Sequence, residues 1–297
     1  MRTLSTLSLW LRRLSAFAGR VVTAFLRNRG ILLAGGVGYN ALLSLVPTLT
    51  LIVTVLSVFF DEDRILAMLR PELRVIVPRH ADVILQTVKA FLANQATTGA
   101  VSVVLLLFFS SIAFRMLEEA VDAIFHHRAE GVRRSFWVSA LLPYVFIALL
   151  MTGLFFLTLL TSGLDALADR SVLVLGHELS LTSGVNLLLS VLGFAGLVAL
   201  IAGIYHVLPV AKVSMRRALI GGLFAAVLWR LVGRFMVYYF ASLSKVDLIY
   251  GSLATVIVVL LFLEVAFTIL LLGAQLIAEL EASAAAGVRW WERPGDR

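Results

Sequence analysis

The sequence predicts an all-α, polytopic membrane protein that crosses the bilayer with six helices. Hydrophobic residues make up 61% of the 297 residues, which is more than a soluble domain of this length contains. Six apolar runs are each long enough to cross the roughly 30 Å hydrocarbon core of a bilayer as a helix. The runs cover residues 31–60, 99–120, 136–164, 184–207, 216–243 and 249–280.

The uneven distribution of basic residues predicts how the chain is oriented. When the N-terminus is assigned to the cytoplasm, 15 of the 25 Lys and Arg residues fall on the cytoplasmic side and 7 on the opposite side. Cytoplasmic loops of membrane proteins carry such an excess of Lys and Arg, so we expect both termini to be cytoplasmic. Topology then accounts for the net charge of +7, and no nucleic-acid partner is expected.

The first 29 residues predict an amphipathic helix that lies in the membrane interface. In a helical projection, one side carries Trp10 and six further apolar residues, and the other carries Arg20 and four further arginines. Such a helix turns its cations toward anionic headgroups. A simple topology anchor and a regulatory lipid sensor both fit this pattern. A transmembrane domain over 30–283 follows, and 284–297 form a cytoplasmic tail.

The first span carries polar residues beside a predicted kink. Pro47 removes a backbone hydrogen bond from the helix interior, and Asn40 and Ser44 lie one turn apart on one face. Their side chains could bridge neighbouring helices, or they could line a substrate path. After this span, residues 61–98 predict short amphipathic helices on the extracytoplasmic face, because two prolines divide the segment and its last part has a helical apolar face.

The second span ends in a charged segment that contains Arg115, Glu118 and Glu119. At helical spacing the arginine can reach either carboxylate. A solvated helix end with internal ion pairs and a cytoplasmic vestibule are both compatible with this pattern.

The last two spans predict a helical hairpin with charges inside the membrane. Arg230 and Glu264 are each 17 residues from Asp247, which lies in the short turn between the helices. An antiparallel hairpin therefore places both charges at one depth, roughly 25 Å below the turn. Charged groups at such a depth are expensive, so we expect Glu264 to contact Arg230 or Arg234, with the excess positive charge facing a polar cavity.

The order of several motifs resembles the YihY/BrkB family of bacterial inner-membrane proteins. The stretches that carry the resemblance are Gly38 to Pro47, Arg115 to Phe125, Tyr205 to Pro209 with Arg216 to Trp229, and Tyr250 to Ala254 continuing to Leu272-Gly-Ala-Gln275. The resemblance covers most of the chain. It implies six helices, cytoplasmic termini and a location in the bacterial inner membrane. Members of the family have carried ribonuclease BN, virulence and serum-resistance labels, and more recently a link to the export of envelope lipids.

The residue types favour transport over catalysis. The five histidines are scattered, the carboxylate cluster lies beside an arginine, and the chain has no cysteine, so we expect no enzyme activity, no metal and no cofactor. Polar residues on several spans could outline a cavity for an amphiphilic envelope lipid with an anionic phospholipid or glycolipid headgroup. The candidate substrate-path residues are Arg230, Arg234, Glu264, Asn40, Ser44, Gln275, Arg115, Glu118 and Glu119. A structural or assembly protein of the cell envelope is the alternative, and a homo-oligomer stays open.

Overall fold

The computed structural model describes residues 2–61, 95–125, 181–209, 213–239 and 251–292, together with single residues between 63 and 89. In these ranges the chain forms six long α-helices and one 3-10 turn. The helices are α1 (Arg2–Arg27), α2 (Gly30–Phe59), α3 (Gln95–Ile124), α4 (Leu181–Val207), α5 (Met215–Tyr238) and α6 (Ala254–Ala285), and the turn at Gly251–Leu253 precedes α6.

Four of the helices are long and apolar enough to cross a membrane. They contain the segments Val101–Ile124, Ser190–Val207, Met215–Met236 and Val256–Ala285. In α2 the described apolar segment Gly30–Leu45 is shorter. The all-helical, polytopic class predicted from sequence is thus confirmed. The span predicted at 136–164 and the hairpin turn between α5 and α6 lie outside the described residues.

The break between α1 and α2 is made by a residue in the left-handed backbone region. Arg29 has a φ of 54°, and its backbone N–H bonds back to the carbonyl of Leu26 at 3.0 Å. Few residues other than glycine and asparagine adopt this conformation. The helical pattern resumes at once, because the N–H of Leu33 donates to the Arg29 carbonyl at 3.0 Å.

The C-terminus of α6 is closed by a glycine. Gly287 has a φ of 65°, and the N–H groups of Gly287 and Val288 donate to the carbonyls of Ala284 and Ser283 at 3.1 and 3.0 Å. This is the Schellman arrangement, which satisfies the last helical carbonyls and turns the chain. The turn directs the tail residues 288–292 back toward α1.

Helix α6 is the centre of the described bundle, packing against α1, α2, α3 and α5. The buried core is rich in alanine, and such small residues let helix backbones approach closely. Gly273 leaves room for a side chain from α4: the hydroxyl of Tyr205 donates a 2.7 Å hydrogen bond to the Leu270 carbonyl in space that a Cβ atom on Gly273 would occupy.

Polar contacts tie the remaining elements together at one end of the bundle, which we call the terminal end. Asn28 in the α1–α2 turn donates a 2.9 Å hydrogen bond to Gln275. Arg217 at the start of α5 lies 2.6 Å from Glu281 near the end of α6. Positions along α2, α5 and α6 are described below by their distance from this end.

Helix α1 buries one face against the rest of the protein. Phe17, Val21, Ala24 and Phe25 are buried, and Phe17 packs edge-on against Trp290 of the tail, with 5.4 Å between the ring centroids. The buried face of α1 is therefore covered by the end of α6 and the tail.

Candidate functional site

Two open clefts flank the helices α5 and α6, and their charges differ. The first, called here the arginine groove, has a volume of about 540 Å³ and is lined by Trp229, Arg230, Gly233, Arg234 and Tyr238. The second, called the α2–α6 cleft, has a volume of about 600 Å³ and is lined by Leu26, Arg29, Ile31, Leu32, Gly35, Gly36 and Glu264.

The arginine groove presents two guanidinium groups on one face of α5. Arg230 and Arg234 are four residues apart, the spacing at which helical side chains are neighbours, and both are exposed. The Arg230 guanidinium lies over the ring of Phe194 on α4, 5.0 Å from its centroid, at cation–π distance. Trp229, which also lines the groove, packs edge-on against Phe262 of α6 at 5.2 Å. This contact fixes the rotation of α5 and leaves both arginines in the groove.

The α2–α6 cleft is formed where two backbones meet at a glycine. A Cβ atom at Gly38 would lie 3.3 Å from the backbone nitrogen of Glu264, so these helices touch at this level. One turn toward the terminal end, at Gly35, a Cβ atom would meet only Glu264 Oε1 at 3.8 Å. The carboxylate of Glu264 therefore lies against the glycine face of α2, at the inner end of the cleft.

Contacts along α5 and α6 give the register of this antiparallel pair. Arg217 pairs with Glu281, and a Cβ atom on Gly221 would overlap Ile277. The same register, continued along both helices, places Arg234 opposite Glu264, and Arg230 one turn nearer the terminal end. The equal depth predicted for Arg230 and Glu264 is thus wrong by one helical turn.

The predicted ion pair between these charges is also not formed. Glu264 faces α2, whereas Arg230 faces α4 and shares the arginine groove with Arg234. The depth of Glu264 along α6 was predicted approximately. The side of α6 on which it lies was not predicted, since Glu264 faces the glycines of α2.

The polar residues of the first span contact helices and line neither cleft. The Asn40 side chain donates to the Gly36 carbonyl at 2.9 Å and contacts the Met116 sulfur on α3 at 3.0 Å. The Ser44 hydroxyl donates to the Ala41 carbonyl of its own helix at 2.8 Å. Both residues are half-buried, so in this structure they serve helix packing.

Gln275 is 3% exposed and accepts a hydrogen bond from Asn28, so it stabilises the terminal end and lines neither cleft.

The carboxylate segment of α3 is also separate from the clefts. Arg115 and Glu119 are exposed, and Glu118 is half-buried. In the described part of the chain, no group of three or more His, Cys, Asp or Glu residues is placed to hold a metal ion.

The structure adds two arginines that sequence reasoning did not select. Arg29 lines the mouth of the α2–α6 cleft. Arg20, predicted to face headgroups, instead forms a 2.9 Å ion pair with Glu279 and donates hydrogen bonds to Ser283 Oγ and the carbonyl of Trp290 at 3.0 and 2.8 Å. A helical projection separates arginines from apolar residues, but it cannot show which arginine meets a buried carboxylate.

Comparison with known proteins supports the assignment as a membrane protein. The family model described as "Virulence factor BrkB" matches residues 21–295. A UPF0761 membrane protein of Azotobacter vinelandii is 30% identical over 91% of this chain and 63% of its own length. One from Aromatoleum aromaticum is 31% identical over 92% of this chain and 65% of its own. One from Mannheimia succiniciproducens is 27% identical over 86% of both chains.

The chain thus spans less than two thirds of the length of the first two relatives. No solved structure matches it. Because the family model covers nearly the whole chain and four described helices can cross a bilayer, the protein is an integral membrane protein of the BrkB family.

Proposed function

We propose that this protein moves an amphiphilic envelope lipid with an anionic headgroup through the bacterial inner membrane, and that it does so without altering the lipid chemically. The observation that carries the proposal is the arginine groove, in which Arg230 and Arg234 are exposed within a candidate span. In this proposal both termini are cytoplasmic, as the positive-inside pattern predicts.

The charge of the groove supports an anionic headgroup. Among the residues that the structure describes, two guanidinium groups and no carboxylate line it. An exposed arginine costs free energy in hydrocarbon, about 3 kcal/mol on insertion scales. A phosphate offsets this cost, because a guanidinium binds it through two parallel hydrogen bonds.

The remaining lining residues support a lipid over a small soluble anion. Trp229 and Tyr238 flank the two arginines, and apolar side chains on the same helix, such as Leu231 and Phe235, are exposed. An acyl chain can pack on this surface while the headgroup is held by the arginines. The groove is open rather than enclosed, so a lipid headgroup can reach the two arginines from outside the protein.

A transport assay in liposomes tests the proposal. The protein would be reconstituted with phosphatidylglycerol that carries a fluorescent label on its acyl chain, and loss of accessible label after dithionite addition would be followed with and without an imposed pH gradient. The variant R230Q/R234Q should lower the rate at least tenfold, because each guanidinium–phosphate contact is worth about 1.5–3 kcal/mol.

The matched control is Arg216→Gln, an exposed arginine on α5 that lies outside the groove. It should transport as the unmodified protein does. Equal rates for R230Q/R234Q and R216Q would overturn the proposal. They would favour the alternative of a structural membrane protein, which the packing roles of Asn40, Gln275 and Arg20 also fit.

A further inference from the structure

The α2–α6 cleft differs from the arginine groove in its balance of charge. Among the residues that the structure describes, its lining includes one guanidinium, from Arg29, and one carboxylate, from Glu264. Apolar side chains of Leu26, Ile31 and Leu32 line the space around the mouth, and all three are exposed. A cleft with one positive group, one negative group and apolar walls is complementary to a zwitterionic amphiphile.

The spacing of the two charges follows α2. Arg29 ends the α1–α2 turn, and Glu264 lies beside Gly35, six residues further along. The helical rise makes this separation about 9 Å, and the long Arg29 side chain can cover part of it. The anionic and cationic groups of one headgroup can therefore contact the two residues at the same time.

The glycines of α2 leave room for a headgroup beside the carboxylate. A Cβ atom at Gly35 would have no neighbour within 4 Å except Glu264 Oε1, so the space in front of the carboxylate is open. Glu264 itself is half-buried, and no ion pair is seen for it in the described part of the chain. A carboxylate at the inner end of a cleft in a membrane span favours a cationic partner.

We propose that the α2–α6 cleft binds a zwitterionic phospholipid with a primary ammonium group, whose ammonium donates hydrogen bonds to Glu264 and whose phosphate accepts them from Arg29. An ammonium group has three donors and suits a single carboxylate. The apolar walls favour a lipid over a soluble amine, since acyl chains can lie against Leu26, Ile31 and Leu32. This site is separate from the arginine groove, and its binding does not depend on the transport proposed above.

A binding measurement on the intact protein in detergent tests this site. The probe is phosphatidylethanolamine with a fluorescent acyl chain, which is compared with labelled phosphatidylglycerol and competed with phosphoethanolamine, the soluble headgroup alone. We expect Glu264→Gln to weaken binding of phosphatidylethanolamine about tenfold, as the loss of one charge-assisted hydrogen bond implies, and to leave binding of phosphatidylglycerol unchanged. Phosphoethanolamine should compete weakly.

A second variant keeps the carboxylate and removes the space. Gly35→Leu places a side chain in the open part of the cleft, and it should also abolish binding of phosphatidylethanolamine. Arg216→Gln, at an exposed arginine that lines neither cleft, is the control that should bind this lipid normally. Thermal unfolding of each variant shows whether it is still folded. If Glu264→Gln does not fold, Arg29→Gln tests the site through its phosphate contact.

The outcomes separate this inference from the proposed function. Normal binding of phosphatidylethanolamine by folded Glu264→Gln or Gly35→Leu would overturn the site, and so would an equal loss of phosphatidylglycerol binding in Glu264→Gln. Strong competition by phosphoethanolamine would overturn a lipid site in favour of a soluble amine. Loss of binding in Glu264→Gln, combined with unchanged transport in R230Q/R234Q, would uphold the site and reject transport through the arginine groove.

Discussion

Arg20 on α1 and Glu279 on α6 form an ion pair, with 2.9 Å between Arg20 Nε and Glu279 Oε2, and their side chains are only 11% and 14% exposed. The distance is that of an ion pair, although Arg20 Nε is not aligned for a hydrogen bond. The other nitrogens of the guanidinium bond to Ser283 and to the tail. One side chain thus joins the first helix, the last helix and the tail.

The first prediction follows from this pair. Arg20→Ala should lower the free energy of unfolding by about 3 kcal/mol, because it leaves a largely buried carboxylate without its partner. Arg20→Met combined with Glu279→Leu should recover part of the loss, since no charge is then stranded. Thermal unfolding in detergent would measure both. Arg12→Ala is the control, since Arg12 is exposed on α1; an equal loss in this control would contradict the role of the pair.

The second prediction concerns Tyr205 and Gly273. Gly273→Ala should destabilise the protein strongly, because the new Cβ would overlap the Tyr205 hydroxyl. Tyr205→Phe should cost about 1 kcal/mol through loss of its hydrogen bond. In the double variant the two effects should not add, because removing the hydroxyl relieves part of the overlap. Additive changes in unfolding temperature would show that the hydroxyl is not the group in conflict.

The third prediction concerns the hydrogen bond in the α1–α2 turn. Asn28→Ala should lower the free energy of unfolding by about 1–3 kcal/mol, because the buried Gln275 side chain loses its partner. Asn28→Ala with Gln275→Leu should be more stable than Asn28→Ala alone. Thermal unfolding of the two variants measures this difference. Thr23→Ala, at an exposed position on α1, is the control, and it should change the unfolding temperature less than Asn28→Ala does.

The fourth prediction is topological. The chain has no cysteine, so single cysteines can be introduced without a background. Cysteines at Arg79 and Asp169 should react with membrane-impermeant thiol reagents in intact cells, because the positive-inside pattern places both outside the cytoplasm. Labelling at Arg133 or Arg217 in place of these positions would reverse the assigned orientation.

The sequence predicted well whatever depends on distance along a helix. A bilayer has a fixed thickness, so the apolar runs that became α3, α4, α5 and α6 were recognisable by length alone. The antiparallel hairpin of α5 and α6 was also predicted. Its register differs from the predicted one by one turn, as the contacts Arg217–Glu281 and Gly221–Ile277 show.

What the sequence did not predict depends on rotation about a helix axis and on partners distant in the chain. Glu264 faces α2 because Gly38 allows close approach at that level, and nothing in the run around Glu264 reveals this. In the same way, Arg20 lies on the same side of the helical projection as the other arginines of α1. Its ion pair with Glu279 cannot be read from that projection. Arg20, which was predicted to face headgroups, therefore serves helix packing. Glu264, which was predicted to form an ion pair, lines a cleft instead.

Arg29 combines an unfavourable left-handed backbone conformation with a positive charge that lines the α2–α6 cleft. A residue with a Cβ atom in this conformation costs about 1 kcal/mol more than glycine does. Arg29→Gly would therefore relax the turn between α1 and α2 while removing the guanidinium from the mouth of the α2–α6 cleft. A variant selected only for thermal resistance would be expected to accept this exchange, gaining stability while losing the positive charge that we propose binds phosphate.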